Sequence, residues 1–254
     1  MRIRVLGCSG GIGQELRTTS LLVDDDILID AGTGVGNLSL AEMGRIRHIF
    51  VTHSHLDHIT GIPLMIDSIF GQIEDPVVIH ASAETLAALR QHIFNWTIWP
   101  DFTQLPTPQS GVLRYELMEP GQTCQVGGRN IRMIPVNHVV PGVGYGIESA
   151  GRVLAFTGDT TTNEDFWDAL NAYPGIDVLI AECAFPNQEH GLCQKAYHYC
   201  PDLLARDLAK LRHRPRVFLT HLKPGAEAQI ERECRELLQG LDVRRLFGGD
   251  LIQL

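Results

Sequence analysis

The 254-residue chain is 44% hydrophobic and 20% charged, which suits folded globular structure and excludes a long disordered tract. A net charge of −9 repels polyphosphate, so no stable nucleic-acid partner is expected. No apolar core follows the basic residues of MRIRVLGCSGG and no run of about 18 apolar residues exists, so neither a signal peptide nor a membrane span is expected; the scattered cysteines 8, 124, 183, 193, 200 and 234 fit reduced thiols in a cytoplasm.

Arg2–Leu6 reads as a strand ending at glycine. The run Gly7-Cys8-Ser9-Gly10-Gly11-Ile12-Gly13 invites a dinucleotide-binding turn, but Thr18–Asp30 behind it reads as strand where that motif needs a helix. Ser20–Val23 and Ile27–Asp30 flank the turn tripeptide Asp24-Asp25-Asp26 and predict a hairpin. Ala31–Gly36 is a glycine loop before a short helix, and Ile46–Val51 is an apolar strand. His58–Phe70 has helical spacing of Ile59, Ile62, Met65, Ile66 and Ile69, with Pro63 confined to the first turn or two. Pro76–Ile79 predicts a strand and Ala83–Phe94 a helix capped by Ser82. Residues 94–110, rich in aromatics and proline, are read as irregular. Strands follow near 112–118, 124–126, 130–136, 144–149 and 152–156. The rest alternates: helix 162–171, strand 176–181, helix 201–211, strand 216–220, helix 225–239 and a last strand near 243–247. The pattern is α+β, two sheets with helices outside. No linker interrupts it, and both halves carry notable histidines, so residues 1–254 are read as one domain.

Thr52-His53-Ser54-His55-Leu56-Asp57-His58 packs three imidazoles and a carboxylate into six residues. Residues two apart in an extended segment face the same side, so His53 and His55 can grip one ion. Asp57 and His58 open the next helix and turn toward a second position. Imidazole and carboxylate together suit zinc, manganese or iron. The bland alternative is a polar loop with Asp57 as a helix cap; three histidines at this spacing argue against it.

His-x-His-x-Asp-His after an apolar strand resembles the signature of the metallo-β-lactamase superfamily. Later counterparts also stand at predicted strand ends: His138 in Pro135-Val136-Asn137-His138, Asp159 in Phe156-Thr157-Gly158-Asp159-Thr160, and His221 in Phe218-Leu219-Thr220-His221. Asp30-Ala31-Gly32-Thr33-Gly34 resembles the family's loop beneath the metals. The resemblance spans residues 1–254 and implies an αββα sandwich of two mixed β-sheets flanked by helices. It implies two divalent ions, one on His53, His55 and His138, the other on Asp57, His58 and His221, with Asp159 between them. A water shared by two such ions has a lowered pKa and is a nucleophile near neutral pH.

The superfamily hosts several chemistries, so other residues must choose among them. Oxygen-reducing diiron members carry Glu where this chain has His55, which favours a hydrolase. Leu179–Phe185 and Tyr197–Pro201 resemble motifs of the phosphodiesterase branch, which holds ribonuclease Z and class II cyclic-nucleotide phosphodiesterases. That likeness implies that Glu182 orients His198, which protonates the leaving oxygen, while Asp57 accepts the water's proton. The basic arm of bacterial ribonuclease Z has no counterpart, and Pro141–Tyr145 and Thr220–Pro224 resemble the cyclic-nucleotide side. The expected substrate is therefore a small phosphodiester, 3′,5′-cyclic AMP first. Two rivals are an ester, lactone or thioester hydrolase, which does not need His198, and a diiron oxygen-binding protein. Lys223 is read as a solvated lysine before a phosphate-steadying one. Phe94, Trp96, Trp99 and Phe102 could form a lid or base-stacking wall, but core and homodimer contact, taken together, are favoured over it.

Overall fold

Strands that bury both faces need cover on both sides, and that requirement sets the architecture. The computed structural model describes residues 1–254. The first half of the chain forms β1 (Arg2–Gly7), β2 (Ser20–Val23), β3 (Ile27–Ile29), α1 (Leu40–Met43), β4 (His48–Phe50), α2 (Leu56–Ile59), α3 (Gly61–Ile69), β5 (Val77–Ala81), α4 (Ala83–Ala88) and β6 (Leu113–Leu117). The second half forms β7 (Thr123–Val126), β8 (Arg129–Val136), β9 (Gly142–Ser149), β10 (Arg152–Phe156), α5 (Asp165–Asn171), β11 (Val178–Glu182), α6 (His190–Lys195), α7 (Pro201–Leu208), β12 (Arg216–Thr220), α8 (Glu227–Leu237), β13 (Val243–Arg245) and β14 (Leu251–Gln253).

Two seven-stranded sheets result, in the orders β14-β1-β2-β3-β4-β5-β6 and β13-β12-β11-β10-β9-β8-β7. Each is mixed: β3 to β6 are parallel, as are β10 to β13, and the other pairs are antiparallel. Period-two alternation divides the side chains between layers. On β3, Ile27 and Ile29 join the core between the sheets, while Leu28 faces the outer layer. On β11, Val178 and Ile180 point inward, and Leu179 and Ala181 outward. The stripe Ile62, Met65, Ile66, Ile69 packs α3 on the first sheet; Phe166, Leu204 and Ile230 bring α5, α7 and α8 onto the second. Across the sheets, Arg129 of β8 grips Asp26 bidentately at 2.6 and 2.8 Å and Asp24 at 3.0 Å, both in the β2–β3 turn. No helix is long and apolar enough to cross a membrane.

Several expected boundaries shift. The helix expected from His58 to Phe70 is two, because the Gly61 N–H leaves the helical ladder and donates to the Ala31 carbonyl at 2.7 Å. The one expected over Ala83–Phe94 loses α-form after Ala88 and continues as a wider turn, Leu89–Ile93. Two elements were not foreseen, α6 and β14. Gln253 of β14 pairs with Arg2 of β1, so a three-residue strand forms on the edge that β1 offers.

Residues 94–110 carry no helix or strand, as expected, but they do not form a lid. Phe94 and Phe102 are buried in the outer core of the first sheet, and Trp99 packs against it. The segment returns through Val112, whose carbonyl accepts from Val77 N–H at the start of β5. The histidine cluster follows the C-terminal end of the neighbouring parallel strand β4, at the opposite edge.

Candidate active site

Strand direction brings the site together. β8 and β10 both run antiparallel to β9, and β10, β11 and β12 are parallel, so all four end on one edge. His138, Asp159, Glu182 and His221 lie at or just beyond those ends, and His53 to His58 lie just beyond β4. All seven residues read as metal-ligating meet here. Ring nitrogens of His53, His55 and His138 form one group, and donor atoms of Asp57, His58, Asp159 and His221 another, each within 4.8 Å of one another. Asp159 sits between the groups: its Oδ2 is 3.3 Å from Nε2 of His58 and of His221, and 3.8 Å from Nε2 of His53. Asp57 Oδ2 is 3.7 Å from His58 Nε2 and 3.9 Å from His221 Nε2.

The other side of four of the five rings is tied to the protein, His55 being the exception. His58 Nδ1 donates to Asp30 Oδ2 at 2.7 Å. Asp30 is fully buried and also accepts from Thr52 N–H and Thr52 Oγ1, each at 2.8 Å. Because that hydroxyl gives its proton to Asp30, its oxygen is left to accept from His53 Nδ1 at 3.0 Å. His138 Nδ1 donates to the Tyr197 carbonyl at 3.0 Å. These bonds fix tautomers that leave lone pairs on the inward nitrogens. Nε2 of His53 and of His58 are buried without any hydrogen-bond partner. His138 Nε2 and His55 Nδ1 face each other at 3.3 Å. Converging, unpartnered imidazole lone pairs beside carboxylates are what a divalent cation satisfies, so the donor set fits a metal.

Electrostatics follow from burial and mutual proximity. Burial and the neighbouring His58 push the His53 pKa well down; burial also holds His221 well below its usual range. Burial opposes protonation of His58, but Asp159 and Asp30 outweigh it and raise its pKa well above normal, so a cation entering beside Asp159 takes the place of the proton on His58 Nε2. Burial likewise opposes ionisation of Asp159, and His221 and His58 reverse it, holding that carboxyl well below its usual range.

Glu182 and His198 also meet. His198 Nδ1 donates to Glu182 Oε1 at 2.8 Å. The same fully buried carboxylate accepts Thr160 N–H at 3.0 Å, Ala184 N–H at 3.1 Å and Tyr199 N–H at 3.3 Å. A ring nitrogen of His198 falls within 4.8 Å of donor atoms on His138 and Asp159. Burial would lower the His198 pKa; the Glu182 charge and hydrogen bond raise it instead.

Three of the six non-glycine residues with left-handed backbone lie here. Asp30, Tyr197 and His221 have φ of 55°, 54° and 60°, left-handed values that cost a non-glycine residue about 1 kcal/mol or more each. His221 is held by its N–H to the Cys8 carbonyl at 2.7 Å. Gly158, at φ 59°, packs so tightly on Val143 and Thr52 that a side chain would collide, and it sets the turn into Asp159. The orienting roles of Asp30, Thr52 and the Tyr197 carbonyl were not foreseen. Only the glycine-rich loop after Asp30 hinted at the first; a carbonyl gives no sequence signal.

A domain model described as the beta-lactamase superfamily domain matches residues 25–222. The chain belongs to this superfamily. Among superfamily relatives, it is 28% identical over 234 residues to a probable 3′,5′-cyclic-nucleotide phosphodiesterase of Yersinia pestis, covering 82% of this chain and 63% of that protein. It is 30% identical over 173 residues to ribonuclease Z of Haloarcula marismortui, covering 65% of this chain and 52% of that one. The chain thus spans less than two thirds of either relative's length. Unliganded yeast PDE1 superposes with a TM-score of 0.84 at 20% identity, over 100% of this chain and 99% of that one, which shows a shared superfamily fold.

Proposed function

We propose that the chain is a metal-dependent phosphodiesterase acting on a small phosphodiester, with 3′,5′-cyclic AMP as the leading substrate and 5′-AMP as product. In this reading His53, His55 and His138 hold one divalent ion, Asp57, His58 and His221 hold a second, and Asp159 lies between them. Bound there, the ions would lower the pKa of a water and draw off phosphate charge. The unpartnered Nε2 atoms of His53 and His58 support the ligand assignment.

One observation favours a phosphodiester over a carboxylic ester or lactone: the buried Glu182–His198 pair at 2.8 Å beside the cluster. An alkoxide leaving from phosphorus needs a proton. Glu182 fixes the tautomer of His198 and stabilises its protonated form, so the inward nitrogen can donate to the leaving oxygen. Asp57, a third exposed and beside the second group, is positioned to take the water's proton. The relatives named above act on phosphodiesters by name, which agrees with this reading. The net charge of −9 favours a small diester over a polyanion.

The test is release of 5′-AMP from cyclic AMP by metal-loaded protein, run beside His198→Ala. A fall of about 10²-fold or more in the variant supports the general-acid role. Equal turnover of ester or lactone substrates by both proteins would favour the carboxylic-ester reading. A strong visible iron absorption with no turnover would favour a diiron oxygen binder.

A further inference from the structure

The chain has three lysines, Lys195, Lys210 and Lys223. Lys195 is exposed at the end of α6, and Lys210 is paired with Glu164 at 2.7 Å and Asp207 at 2.8 Å. Lys223, two residues past His221, is half-buried and has no carboxylate partner. It is therefore not the solvated lysine that the sequence favours. Its Nζ donates to the Gly10 carbonyl at 2.9 Å and lies 5.8 Å from the centre of the Phe185 ring. The Phe185 ring is 5.8 Å from that of His198, which is 5.2 Å from that of His221. Gly10 in turn packs on His221, so closely that any side chain there would strike the His221 carbonyl.

The ammonium is thus fixed beside the candidate site by a carbonyl and an aromatic face. An ammonium has three donors, and the Gly10 carbonyl takes one. A half-buried cation without an anion is costly to hold, and the cost is relieved when an anion arrives.

We infer that Lys223 is a substrate-binding residue whose Nζ receives a non-bridging phosphate oxygen and selects an anionic diester over a neutral ester. The inference rests on the phosphodiester reading of the site. Phe185 and Gly10 aim the ammonium, and the remaining N–H groups make the contact.

The experiment measures binding of inorganic phosphate to metal-loaded wild type, Lys223→Met and Lys223→Arg by calorimetry, with metal content and thermal midpoint as controls. KM and kcat for cyclic AMP are measured alongside. Loss of a charge-assisted hydrogen bond should weaken phosphate binding and raise KM about tenfold or more in Lys223→Met, while Lys223→Arg keeps most of the affinity. Metal content and midpoint should stay unchanged. Unchanged phosphate binding in Lys223→Met would overturn the inference. So would an equal loss in both variants, or loss of the metals, since either makes Lys223 a staple for the Gly10 loop. Phosphate binding that depends on Lys223 in a protein that leaves cyclic AMP intact would keep the inference and remove that substrate.

Discussion

Asp30→Asn tests the layer behind the candidate ligands. The substitution keeps the shape and removes the charge. In the wild type, Oδ1 accepts Thr52 N–H at 2.8 Å, and Oδ2 accepts the Thr52 hydroxyl at 2.8 Å and His58 Nδ1–H at 2.7 Å. All these groups are buried. An amide has one acceptor oxygen. If it serves Thr52 N–H, the amide nitrogen confronts His58 Nδ1, and two donors face each other. The ring must then move its proton to Nε2, the atom that faces Asp57, Asp159 and His221. A buried polar group deprived of its partner costs about 1–3 kcal/mol. Loss of the outer partner of a metal-binding imidazole typically costs about 10–100-fold in affinity, or about 1.4–2.7 kcal/mol, so the two estimates agree. Competition with a chromophoric chelator should show one of two metals weakened by that factor. The ion on His53, His55 and His138 should change less, because His53 is one hydroxyl further from Asp30. Urea unfolding of the metal-free variant reports the fold separately. Two metals held as tightly as in wild type would refute the reasoning.

Glu182→Gln should lower kcat for the proposed reaction about as far as His198→Ala, and the double variant should lose little more, since the two act as one unit; additive losses would separate them. His80 stacks on Phe50 at 4.3 Å and its Nε2 is 2.9 Å from His48 Nδ1; burial, then His48, lowers its pKa to about 4. A histidine depressed in the folded state binds its proton more readily unfolded, so its contribution is complete above about pH 6.5 and is lost as pH falls toward 4. Over that window the wild type should lose about 3 kcal/mol more than His80→Gln in urea unfolding, and parallel curves would remove His80 as the cause. Arg129→Met removes the clamp on Asp24 and Asp26; their side chains are 37% and 34% exposed, so the expected cost is only about 1–3 kcal/mol, read as a lowered urea midpoint at unchanged slope.

What was legible in the sequence was what is local. His53, His55, Asp57 and His58 lie within six residues, and His138, Asp159 and His221 each follow an apolar run that could only be a strand. The order of strand-length and helix-length runs likewise suggested two sheets with helices outside. What escaped depends on distant partners. β14 is too short to signal itself and exists because β1 offers a free edge. The Tyr197 carbonyl reaches His138 across 59 residues, and the Asp30 side chain reaches His58 across 28. Lys223 looked solvated because nothing nearby in sequence pairs with it; its partner is Gly10, 213 residues away. The aromatic segment was ambiguous for the same reason, until the return strand fixed which end of β5 it covers.

The site therefore gets its shape from the fold rather than from the ions. Four of the five rings are aimed by a bond on the far side, and those bonds come from different elements: Thr52 after β4 for His53, the end of β3 for His58, the turn after α6 for His138, and Thr19, at 3.4 Å, for His221. Without a cation, His55 has no other ring partner, so its Nδ1–H donates to His138 Nε2, 3.3 Å away, and an ion binding there displaces that proton. An ion that binds only the folded chain should stabilise the protein by mass action, rising with free metal as RT ln(1 + [M]/Kd). At a hundredfold excess over Kd this is about 2.7 kcal/mol per ion. Stripping the metals with a chelator should therefore lower the thermal midpoint, and readdition should restore it in a concentration-dependent way. His55→Ala should flatten that dependence while lowering the metal-free midpoint only slightly, by the loss of one hydrogen bond worth about 1 kcal/mol. A metal dependence as steep in His55→Ala as in the wild type would remove His55 from the ligand set.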